Sequence, residues 1–512
     1  MRSMRLHDLL NLVNIDYQHE LVNPIIKGIS FNSSDVTKGY LFLGLPGTKV
    51  DGGVYCLDAF KNGAEAAIIS EEAYLALGKI KNTKVLVLSK PLHNLFGRII
   101  SEFWNRPSNK LKIIGITGTN GKTTIAFLLE HILKNLGKDV ALFGTLFNRW
   151  PGYYESSTHT TDFADKLQPK LNLAYEANVN YVVMEVSSHA IDQKRISGCS
   201  FDAAIFTNLT QDHLDYHKNM KSYFETKMEL FNPPFLDSIK GYSVINIDDQ
   251  WGRKLNQNLS NKSVIISTKD SYKGLANEKK FFVSEKRFTK DGTYCVLHNN
   301  LEKIDLFIPL IGEFNLMNAI QSIAVLNQFG FLLKDICNAI KSFPGVPGRM
   351  ELIKFSGSNL SINYPEVIVD YAHTPDGLKK VLATIKQIAL GRIITVFGCG
   401  GNRDSTKRSM MGSIAEELSD FIFITSDNPR MEEPEDIIDD ILCGINNKEK
   451  VKIYLDRFEA IKEAINLAEP KDIVLIAGKG HENYQIIKDK KLSFDDRKVA
   501  YELLLQKINK KK

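Results

Sequence analysis

The stretch IIGITGTNGKTT, residues 113–124, decides the fold of the central part of this chain. It predicts an apolar strand, a glycine-rich turn and the start of a helix. Backbone N–H groups of such a turn, and of the helix N-terminus, bind phosphate oxygens. Lys122 can reach the β- and γ-phosphates of a nucleoside triphosphate, and the hydroxyl of Thr123 can bind Mg²⁺. The stretch therefore predicts a nucleoside triphosphate site.

The loop departs from the strict phosphate-binding pattern at one position. The pattern G-x-x-x-x-G-K-[ST] requires glycine at position 116, where this chain has isoleucine, and its glycines stand at 115, 118 and 121. The alternative is an ordinary glycine turn between a strand and a helix. Because Lys-Thr-Thr begins the helix, we interpret the loop as a variant of the P-loop.

Length and composition limit the possible classes of protein. At 512 residues the chain is too long for one hydrophobic core, and about three domains are expected. The net charge of +5 gives no argument for nucleic-acid binding and suits an anionic small-molecule substrate. The six cysteines are scattered without a Cys-x-x-Cys pair, which fits a reducing compartment. We find no signal-peptide core and no apolar run of membrane-spanning length, and expect a cytoplasmic protein without a membrane span.

A polar, proline-containing segment at residues 104–109 and a proline- and glycine-rich segment at residues 343–349 divide the chain into three blocks. We place the domains at residues 1–108, 109–345 and 346–512. The second and third blocks alternate uninterrupted apolar strands with helical stretches, which is typical of a parallel sheet covered on both faces. The predicted fold class is α/β in three domains: an N-terminal α/β domain, a central P-loop domain with a parallel sheet, and a Rossmann-like C-terminal α/β domain.

The apolar runs of the two larger blocks give the strand predictions. They are residues 112–117, 181–186, 203–209, 243–247, 263–267, 367–371, 392–398, 421–425, 451–454 and 472–477. A helix is predicted at residues 315–328. Ligands of such sheets bind at the carboxyl ends of the strands, so polar residues that follow a strand are candidates for the site.

Polar clusters follow two predicted strands of the central block. Glu185 stands at the end of one strand, where a second oxygen ligand of Mg²⁺ would lie. Residues 185–189 (EVSSH) and 208–217 (NLTQDHLDYH) then offer carboxylate, hydroxyl and imidazole groups. A surface loop with satisfied turn residues is the alternative. Two such clusters, each directly after a buried strand, favour a functional rim.

Charged loops follow the strands of the third block in the same way. Arg403, Arg430 and Glu482 stand on loops that neighbour one another in such a fold. Because arginine binds carboxylates in bidentate fashion, these loops could bind an amino acid with several carboxylates and an amine. The alternative for Arg430 is an exposed turn residue after Pro429. Lys227, by its local sequence alone, is an exposed helix lysine without a role.

Together these motifs resemble the Mur ligases. The family's form of the P-loop corresponds to residues 118–124, and its further motifs follow in order over essentially the whole chain, at residues 185–189, 207–217, 312–315, 347–351 and 370–376. Residues 427–430 and 478–485 resemble the amino-acid-binding motifs of the MurE type. The resemblance implies an ADP-forming acid–amino-acid ligase of peptidoglycan precursor synthesis. Such a ligase uses ATP to convert a carboxylate of UDP-N-acetylmuramoyl-L-alanyl-D-glutamate to an acyl phosphate, which the amine of meso-diaminopimelate attacks.

The resemblance also assigns roles around ATP and Mg²⁺. The residues that would contact ATP are Gly118, Thr119, Asn120, Gly121, Lys122, Thr123, Thr124, Asn315, Arg349, Asp370 and His373. The residues that would act in catalysis are Lys122, Glu185, His213 and Lys227. The metal sites would be formed by Thr123, Glu185, His213 and Lys227, with Lys227 as a carbamylated lysine.

The two other substrates are assigned in the same way. The uridine diphosphate would contact Ser33, Thr48, Lys49 and Val50, and the muramoyl-dipeptide would contact Thr160, Thr161, Ser187, Gln193 and Arg195. Diaminopimelate would contact Arg403, Asp427, Asn428, Pro429, Arg430, Gly478 and Glu482. Two departures from the family pattern affect these contacts: Asn32-Ser33-Ser34 replaces Asp-Ser-Arg near the uracil, and His159 replaces the usual asparagine before the threonine pair.

Arg430 bears on which amino acid is added. Family members that add meso-diaminopimelate resemble Asp-Asn-Pro-Arg here, whereas lysine-adding members lack the arginine. Diaminopimelate is lysine with an extra carboxylate, which an arginine would bind, while the same arginine would repel the ammonium of lysine.

Several alternatives remain open at this point. They are ligation of L-lysine or another diamino acid, a folylpolyglutamate synthetase-like ligase, a P-loop ATPase switch and an inactive binding protein. A folylpolyglutamate synthetase resembles only the last two domains, and a switch needs no amino-acid pocket. The expected partners are small-molecule substrates and not nucleic acid, and the expected state is a monomer.

Overall fold

A computed structural model describes residues 2–47, 49–80, 82–237, 239–259, 262–269, 279–354 and 364–510 of the chain. Thr48, one of the residues assigned to the uridine diphosphate, lies outside these residues. Three sheets of four, eleven and six strands follow one another along the chain, each with helices packed on it. The α/β fold class is therefore confirmed.

The N-terminal sheet is parallel, with the strand order β3-β4-β5-β6. The elements of this region are β1 (Met4–Arg5), α1 (Leu6–Leu12), β2 (Ile25–Ile26), β3 (Gly28–Ser30), β4 (Tyr40–Leu43), α2 (Cys56–Lys61), β5 (Ala64–Ser70), α3 (Glu71–Ala76), β6 (Val85–Leu88) and α4 (His93–Phe103). Several hydrogen bonds join the region to the next one. They include those from the Phe31 amide to Asp165 (3.1 Å), from the Ser101 hydroxyl to the Gly198 carbonyl (2.8 Å) and from the Ser197 hydroxyl to the Asn94 side chain (2.7 Å).

The central region contains the P-loop and the largest sheet. Its first elements are β7 (Lys112–Thr117), α5 (Lys122–Asn135), β8 (Val140–Phe143), β9 (Phe147–Trp150), β10 (Tyr153–Ser156), α6 (Ala164–Glu176), β11 (Tyr181–Glu185), α7 (Ser188–Asp192), β12 (Ala203–Phe206), α8 (Leu214–His217) and α9 (Met220–Met228). The remaining ones are β13 (Tyr242–Asn246), α10 (Gln250–Asn258), β14 (Lys262–Ser267), β15 (Lys279–Thr289), β16 (Gly292–His298), β17 (Lys303–Ile308), α11 (Glu313–Gln328) and α12 (Leu333–Ala339).

Strands β8-β11-β7-β12-β13-β14-β15 of this sheet are parallel, and antiparallel strands extend it at both edges. Strand β7 is apolar from Ile113 to Ile116 because both its faces are covered there. Ile114 and Ile116 pack with α5 and α11, while Ile113 packs in the opposite cluster with α6. The carboxyl ends of β7, β11 and β12 lie side by side at one edge, where ligands are expected.

The C-terminal sheet has the order β18-β19-β23-β20-β21-β22, with only β18 antiparallel. The elements are β18 (Glu351–Leu352), β19 (Glu366–Asp370), α13 (Pro375–Ile388), β20 (Ile393–Phe397), α14 (Thr406–Leu418), β21 (Phe421–Thr425), α15 (Pro434–Leu442), β22 (Val451–Tyr454), α16 (Arg457–Leu467), β23 (Ile473–Ala477), β24 (Tyr484–Ile487), β25 (Lys490–Ser493) and α17 (Asp496–Lys510).

The three sheets occupy residues 28–88, 112–308 and 351–477. The domain boundaries that we placed near residues 108 and 345 fall between them and stay predictions. Among the described residues, no helix has both the length and the apolar character needed to cross a membrane.

Candidate active site

The P-loop lies between the end of β7 and the start of α5. Gly118 and Gly121 have φ angles of +143° and +92°, a backbone region that favours glycine. A Cβ atom on Gly121 would lie 2.5 Å from the side-chain oxygen of Asn318, so α11 packs directly against the loop. The loop is also bonded to Asn208, the second residue after β12, because the Thr119 and Asn120 amides donate to its carbonyl and side chain (2.9 and 3.0 Å).

Lys122 is the first residue of α5 and its ammonium lies over the loop. It donates to the carbonyls of Gly118 and Thr119, at 2.9 Å each, and burial lowers the pKa of Lys122. The first amides of a helix have no partner within the helix, so the start of α5 supplies free donors beside this cation. This arrangement suits a bound polyphosphate.

A cavity of about 570 Å³ opens in front of the loop. It is lined by residues of both the central and the C-terminal regions. The predicted site residues among them are Thr119, Asn120, Gly121, Lys122, Thr123, Thr124, Thr160, Glu185, Ser187, His213, Asn315, Arg349, Asp370 and His373. The structure thus brings most of the residues assigned to ATP to one cavity, although they are spread along the chain from Thr119 to His373.

Glu185 is a fully buried carboxylate beside the start of α5. It accepts hydrogen bonds from the Thr123 hydroxyl (3.0 Å), the Thr145 hydroxyl (2.9 Å) and the Thr145 amide (3.0 Å). In the part of the chain that the structure describes, it forms no ion pair. A buried carboxylate next to a threonine hydroxyl supplies the hard oxygen ligands that Mg²⁺ prefers. These residues therefore fit a magnesium ion shared with phosphate oxygens and water.

Lys227 lies beneath the P-loop, and the interpretation of it as an exposed helix lysine is wrong. Its side chain is fully buried in α9, and its ammonium donates to the Gly118 carbonyl (3.0 Å) and the Thr117 hydroxyl (3.4 Å). The Tyr223 ring lies 4.7 Å from the same nitrogen. Burial, and then the nearby charge of Lys122, lower the pKa of Lys227 well below its usual range.

His213 precedes α8 and faces the same cavity from the cluster 208–217. Burial lowers its pKa to about 4, against the attraction of Asp212, whose carboxylate lies 3.5 Å away. Of the four residues assigned to metal, Thr123 and Glu185 are hydrogen-bonded to each other, whereas His213 and Lys227 bond to other groups. Within the described ranges, no three His, Cys, Asp or Glu side chains form a cluster able to hold a metal ion.

The C-terminal region closes the cavity from the other side. The Asp370 carboxylate accepts the amides of Met350 and Ala372, at 2.7 Å each, at the end of β19. Burial raises the pKa of Asp370, and the neighbouring Arg349 opposes this effect. The Arg349 guanidinium lies 4.3 Å from the centroid of the Tyr371 ring.

One hydrogen bond joins the P-loop directly to the C-terminal region. The side-chain amide of Asn120 donates to the carboxylate of Asp376 at 3.1 Å, at the start of α13. Asn315 bonds within its own helix start, to the Ile311 carbonyl at 2.9 Å. The Lys407 ammonium donates to the His373 carbonyl at 2.9 Å. The first of these contacts crosses between the two regions, and the other two hold cavity residues within their own regions.

The residues assigned to the muramoyl-dipeptide form one connected network beside Glu185. The Thr161 hydroxyl donates to the Glu185 carbonyl (2.9 Å) and accepts the Ser187 amide (3.1 Å). Arg195 donates to the Thr161 carbonyl (3.0 Å) and to the Gln193 side chain (3.0 and 2.7 Å). Thr160 joins the network through a hydroxyl contact of 3.2 Å with Thr145.

The described residues assigned to the uridine diphosphate lie in the N-terminal region, apart from this network. The Ser33 carbonyl accepts a hydrogen bond from the Asn62 side chain at 3.0 Å. Lys49 and Val50 are exposed, in a turn where the Gly47 amide bonds to the Val50 carbonyl (3.1 Å). No hydrogen bond among the described residues links these positions to Gln193 or its partners.

The loops assigned to the amino acid meet at the carboxyl ends of β20, β21 and β23. The Asn428 side chain donates to Glu482 Oε2 at 2.8 Å. Gly478 has a φ of +113°, and a Cβ atom there would lie 2.6 Å from Asp427 Oδ2. That Asp427 oxygen is buried without a hydrogen-bond partner. A buried acceptor of this kind is available to a donor from a ligand.

Both predicted arginines of this region lie by the same glycine. The half-buried Arg430 has a φ of +53°, and its guanidinium donates to the Gly401 carbonyl at 2.8 Å. A Cβ atom on Gly400 would lie 3.0 Å from Arg430 Nη1 and 3.8 Å from Arg403 Cγ. The Gly401 amide donates to the carbonyl of Asn428 (2.9 Å), the residue before Pro429, so Pro429 also lies next to this glycine loop.

Three residues of the site were missed by the sequence reasoning. Thr145, which bonds to Glu185, follows β8, the strand next to β11, so the carboxyl-end rule could have found it. Asp376, which accepts a hydrogen bond from Asn120, lies in the motif at residues 370–376, but no role was assigned to it from sequence. Lys479 is fully buried and donates to Asn428 Oδ1 (3.1 Å) and Glu482 Oε2 (3.0 Å). No local signal predicted that burial.

Family models match three parts of the chain. They are described as "Mur ligase family, catalytic domain" at residues 25–104, "Mur ligase middle domain" at residues 116–326 and "Mur ligase, glutamate ligase domain" at residues 348–480. A curated UDP-N-acetylmuramoyl-L-alanyl-D-glutamate–2,6-diaminopimelate ligase of Prochlorococcus marinus subsp. pastoris is 58% identical over 511 residues, which are 100% of each chain. A ligase of the same description from Thermosynechococcus vestitus is 42% identical over 99% of each chain.

Solved structures agree with these relatives. One described as a UDP-N-acetylmuramoyl-L-alanyl-D-glutamate–2,6-diaminopimelate ligase is 31% identical, has a TM-score of 0.69 and covers 99% of each chain. A folylpolyglutamate synthase of Mycobacterium tuberculosis, complexed with ADP and AMPPCP, is 17% identical with a TM-score of 0.60, and the match covers 76% of this chain and 92% of that one. This second likeness is one of fold alone. From the family matches and the full-length relatives, the chain belongs to the Mur ligase family.

Proposed function

We propose that the protein is an ATP-dependent, ADP-forming ligase that joins meso-diaminopimelate to UDP-N-acetylmuramoyl-L-alanyl-D-glutamate in peptidoglycan precursor synthesis. The observation that carries the proposal is the pairing of two sites in one chain. A P-loop cavity contains Lys122 and Glu185, and a separate loop cluster contains Arg403, Arg430 and Glu482. The full-length relatives described as diaminopimelate ligases support the same reaction.

The first step is transfer of the γ-phosphoryl group to the substrate carboxylate. A carboxylate oxygen attacks the γ-phosphorus, the bond to the β,γ-bridging oxygen breaks, and ADP leaves. Lys122 and the first amides of α5 bind the phosphate oxygens and neutralise charge in the transition state. Thr123 and Glu185 would hold Mg²⁺, which supplies further neutralisation of the phosphates. Positioning and electrostatics therefore account for this step.

The second step forms the amide bond. The amine nitrogen of diaminopimelate attacks the acyl-phosphate carbonyl carbon, inorganic phosphate leaves, and the amine loses a proton. The Thr160–Arg195 network, beside Glu185, would hold the dipeptide end of the nucleotide substrate. The half-buried Ser33 and the exposed Lys49 and Val50 of the N-terminal region would hold its uridine diphosphate end. The substrate would thus extend from the first region to the second.

Lys227 would act as a carbamylated lysine. Its neutral amine adds to carbon dioxide and releases one proton, which gives a carbamate anion. The depressed pKa supports this step, because only the neutral amine reacts and burial favours that form. The resulting anion would lie beside Thr117 and Gly118 and could accept hydrogen bonds or orient a metal ion there. His213 would hold a second ion from the other side of the cavity.

Arg430 would select the amino acid. Its guanidinium, next to Arg403, would bind the distal carboxylate of diaminopimelate, and Glu482 would bind the distal ammonium. Lysine lacks that carboxylate and would leave a cation facing Arg430, which disfavours it. A switch-type ATPase would need no such cluster. We further expect a cytoplasmic protein, because its nucleotide-linked substrate and ATP are cytoplasmic, and the monomeric state stays a prediction.

An omission experiment tests the proposal. ADP release is measured with ATP and Mg²⁺ present, while the UDP-linked dipeptide and meso-diaminopimelate are added singly and together. We expect release only with both substrates. Release with neither would instead identify an ATPase that needs no acceptor.

A further inference from the structure

An ion pair lies fully buried behind the amino-acid loops. It joins Arg457, at the start of α16, to Asp496, the first residue of α17, and both side chains are completely inaccessible. The contact is bidentate, with Nε to Oδ1 at 2.8 Å and Nη2 to Oδ2 at 2.7 Å. Two parallel bonds of this kind fix the plane of the guanidinium.

The same guanidinium holds the starting points of two loops. Nη2 donates to the Ala477 carbonyl at 3.0 Å, and Nη1 donates to the Ser426 carbonyl at 3.4 Å. Ser426 directly precedes Asp427 and follows β21, while Ala477 ends β23 and directly precedes Gly478. The loops that contain Asn428, Arg430 and Glu482 therefore both begin at a carbonyl bonded to Arg457.

Further contacts join the two loops beyond the Ser426 and Ala477 carbonyls. The ammonium of Lys479 bridges Asn428 Oδ1 and Glu482 Oε2. The Gln485 side chain donates to the Asp427 carbonyl at 2.8 Å, and the Ile486 amide donates to Asn428 Oδ1 at 2.9 Å. A displacement of the Ser426 and Ala477 carbonyls, where the two loops begin, would therefore move both loops together.

Stability alone does not explain this pair. Removing two charges from water costs several kcal/mol per ion, and replacing such a pair by apolar side chains is often neutral or stabilising. The apolar contacts of α17 already hold the helix, because Ala500, Leu504 and Ile508 pack in the same cluster as Ile461 of α16. What apolar side chains cannot supply is the pair of donors to the two loop carbonyls.

We propose that Arg457, oriented by Asp496, is a positioning residue for the amino-acid substrate. It does not touch the substrate, since it is completely buried, and it acts by fixing the distance between the loop of Asn428 and Arg430 and the loop of Glu482. The proposal rests on the proposed function for the identity of that substrate. It gives the C-terminal helix α17 a part in recognition of the amino acid.

The test compares three variants in the full-length enzyme. The double variant Arg457→Met with Asp496→Leu removes both charges together, so no unpaired charge is left buried and the fold is retained. Arg457→Lys keeps the positive charge but lacks the planar guanidinium that donates to both loops. Arg392→Met is the control for loss of an arginine ion pair elsewhere in this region. The Arg392 side chain is 34% exposed and pairs with the buried Asp472 (2.6 Å) at the amino ends of β20 and β23, the opposite end of the same sheet. Circular dichroism verifies folding of each variant.

Two measurements are made on each protein. Steady-state kinetics give KM for meso-diaminopimelate, for ATP and for the UDP-linked dipeptide, and hydrogen exchange by mass spectrometry follows residues 427–430 and 478–486. We expect the double variant and Arg457→Lys to raise KM for meso-diaminopimelate by about 10- to 100-fold, because both loops that would bind it are displaced and a misplacement of about 1 Å can cost about 100-fold. The other two KM values stay unchanged, exchange in both loops becomes faster, and Arg392→Met matches the wild type.

Unchanged exchange in both loops would overturn the proposal, and so would an equal rise of all three KM values. A rise of KM for meso-diaminopimelate in Arg392→Met as large as that in the double variant would also overturn it. Failure of the wild-type enzyme to use meso-diaminopimelate at all would refute the proposed function instead. In that case the exchange measurement still decides whether Arg457 holds the loops.

Discussion

Arg430→Ala tests the selection of the amino acid at a single side chain. In the structure, Arg430 Nη1 donates to the Gly401 carbonyl at 2.8 Å and lies close to Gly400, which places the guanidinium beside Arg403. Arg430 is absent from the residues that line the P-loop cavity. Its removal should therefore affect use of the amino acid and leave ATP binding intact.

The expected magnitude follows from the bond that would be lost. A hydrogen bond to a charged group contributes about 1.5–3 kcal/mol, which corresponds to a fall of about 10- to 150-fold in kcat/KM for meso-diaminopimelate. Arg430→Ala also removes the donor to the carbonyl of the buried Gly401, which lowers the stability of the region and does not distinguish one amino acid from the other. Lysine has no distal carboxylate to lose, so its use should stay the same or improve.

The assay is coupled ADP release with each amino acid varied at saturating ATP and UDP-linked dipeptide. Arg392→Met, at the far end of the same sheet, serves as the control for general damage to the region. An equal fall in kcat/KM for diaminopimelate and lysine would refute the reasoning, as would a rise of KM for ATP that accounts for the whole loss.

Three further predictions concern the P-loop cavity and the buried histidines. Lys227→Ala should lose most activity, with partial return on addition of a small carboxylate such as acetate or formate, measured by ADP release; complete lack of rescue would contradict a carbamate. Glu185→Gln should raise the Mg²⁺ concentration needed for half-maximal rate by about tenfold or more, since a charged ligand is lost, while folding is kept. The thermal midpoint should fall as pH falls from 6.5 towards 4, because burial lowers the pKa of His217 to about 4 and that of His481 to about 3. The unfolded chain binds those protons near pH 6.5 and the folded chain does not, so the free energy of unfolding falls by up to about 1.4 kcal/mol per site and pH unit. His217→Asn should make this pH dependence shallower, and an unchanged slope would contradict the explanation.

Most buried parallel strands of the two larger sheets could be predicted from sequence because burial on both faces leaves an uninterrupted apolar run. The exception in the central sheet is β8, which is equally buried and apolar and was not predicted. Strand β7 matches its predicted range of 112–117, and β21 and β22 match theirs, 421–425 and 451–454. Strands β15–β17 were not predicted, since they lie at the sheet edge and their buried and exposed side chains alternate. A search for continuous apolar runs does not detect such strands.

The candidate site was only partly accessible to sequence reasoning. Glu185 could be placed because it ends a strand beside β7, and the carboxyl-end rule applies to it directly. The burial of Lys227 could not be predicted, because it depends on α9 packing beneath a loop 109 residues earlier in the chain. The contact of Arg457 with two loops likewise depends on tertiary packing. It requires α16 to pack against the C-terminal sheet so that its first residue lies near the ends of β21 and β23, and no local sequence pattern predicts this.

The most direct test of the central claim is identification of the product. The enzyme is incubated with ATP, Mg²⁺, UDP-N-acetylmuramoyl-L-alanyl-D-glutamate and an equimolar mixture of meso-diaminopimelate and L-lysine, and the UDP-linked products are identified by mass spectrometry. We predict a UDP-linked tripeptide that contains diaminopimelate, formed with one ADP per product. A lysine-containing product in equal amount, or ADP formation without any amide product, would contradict the account.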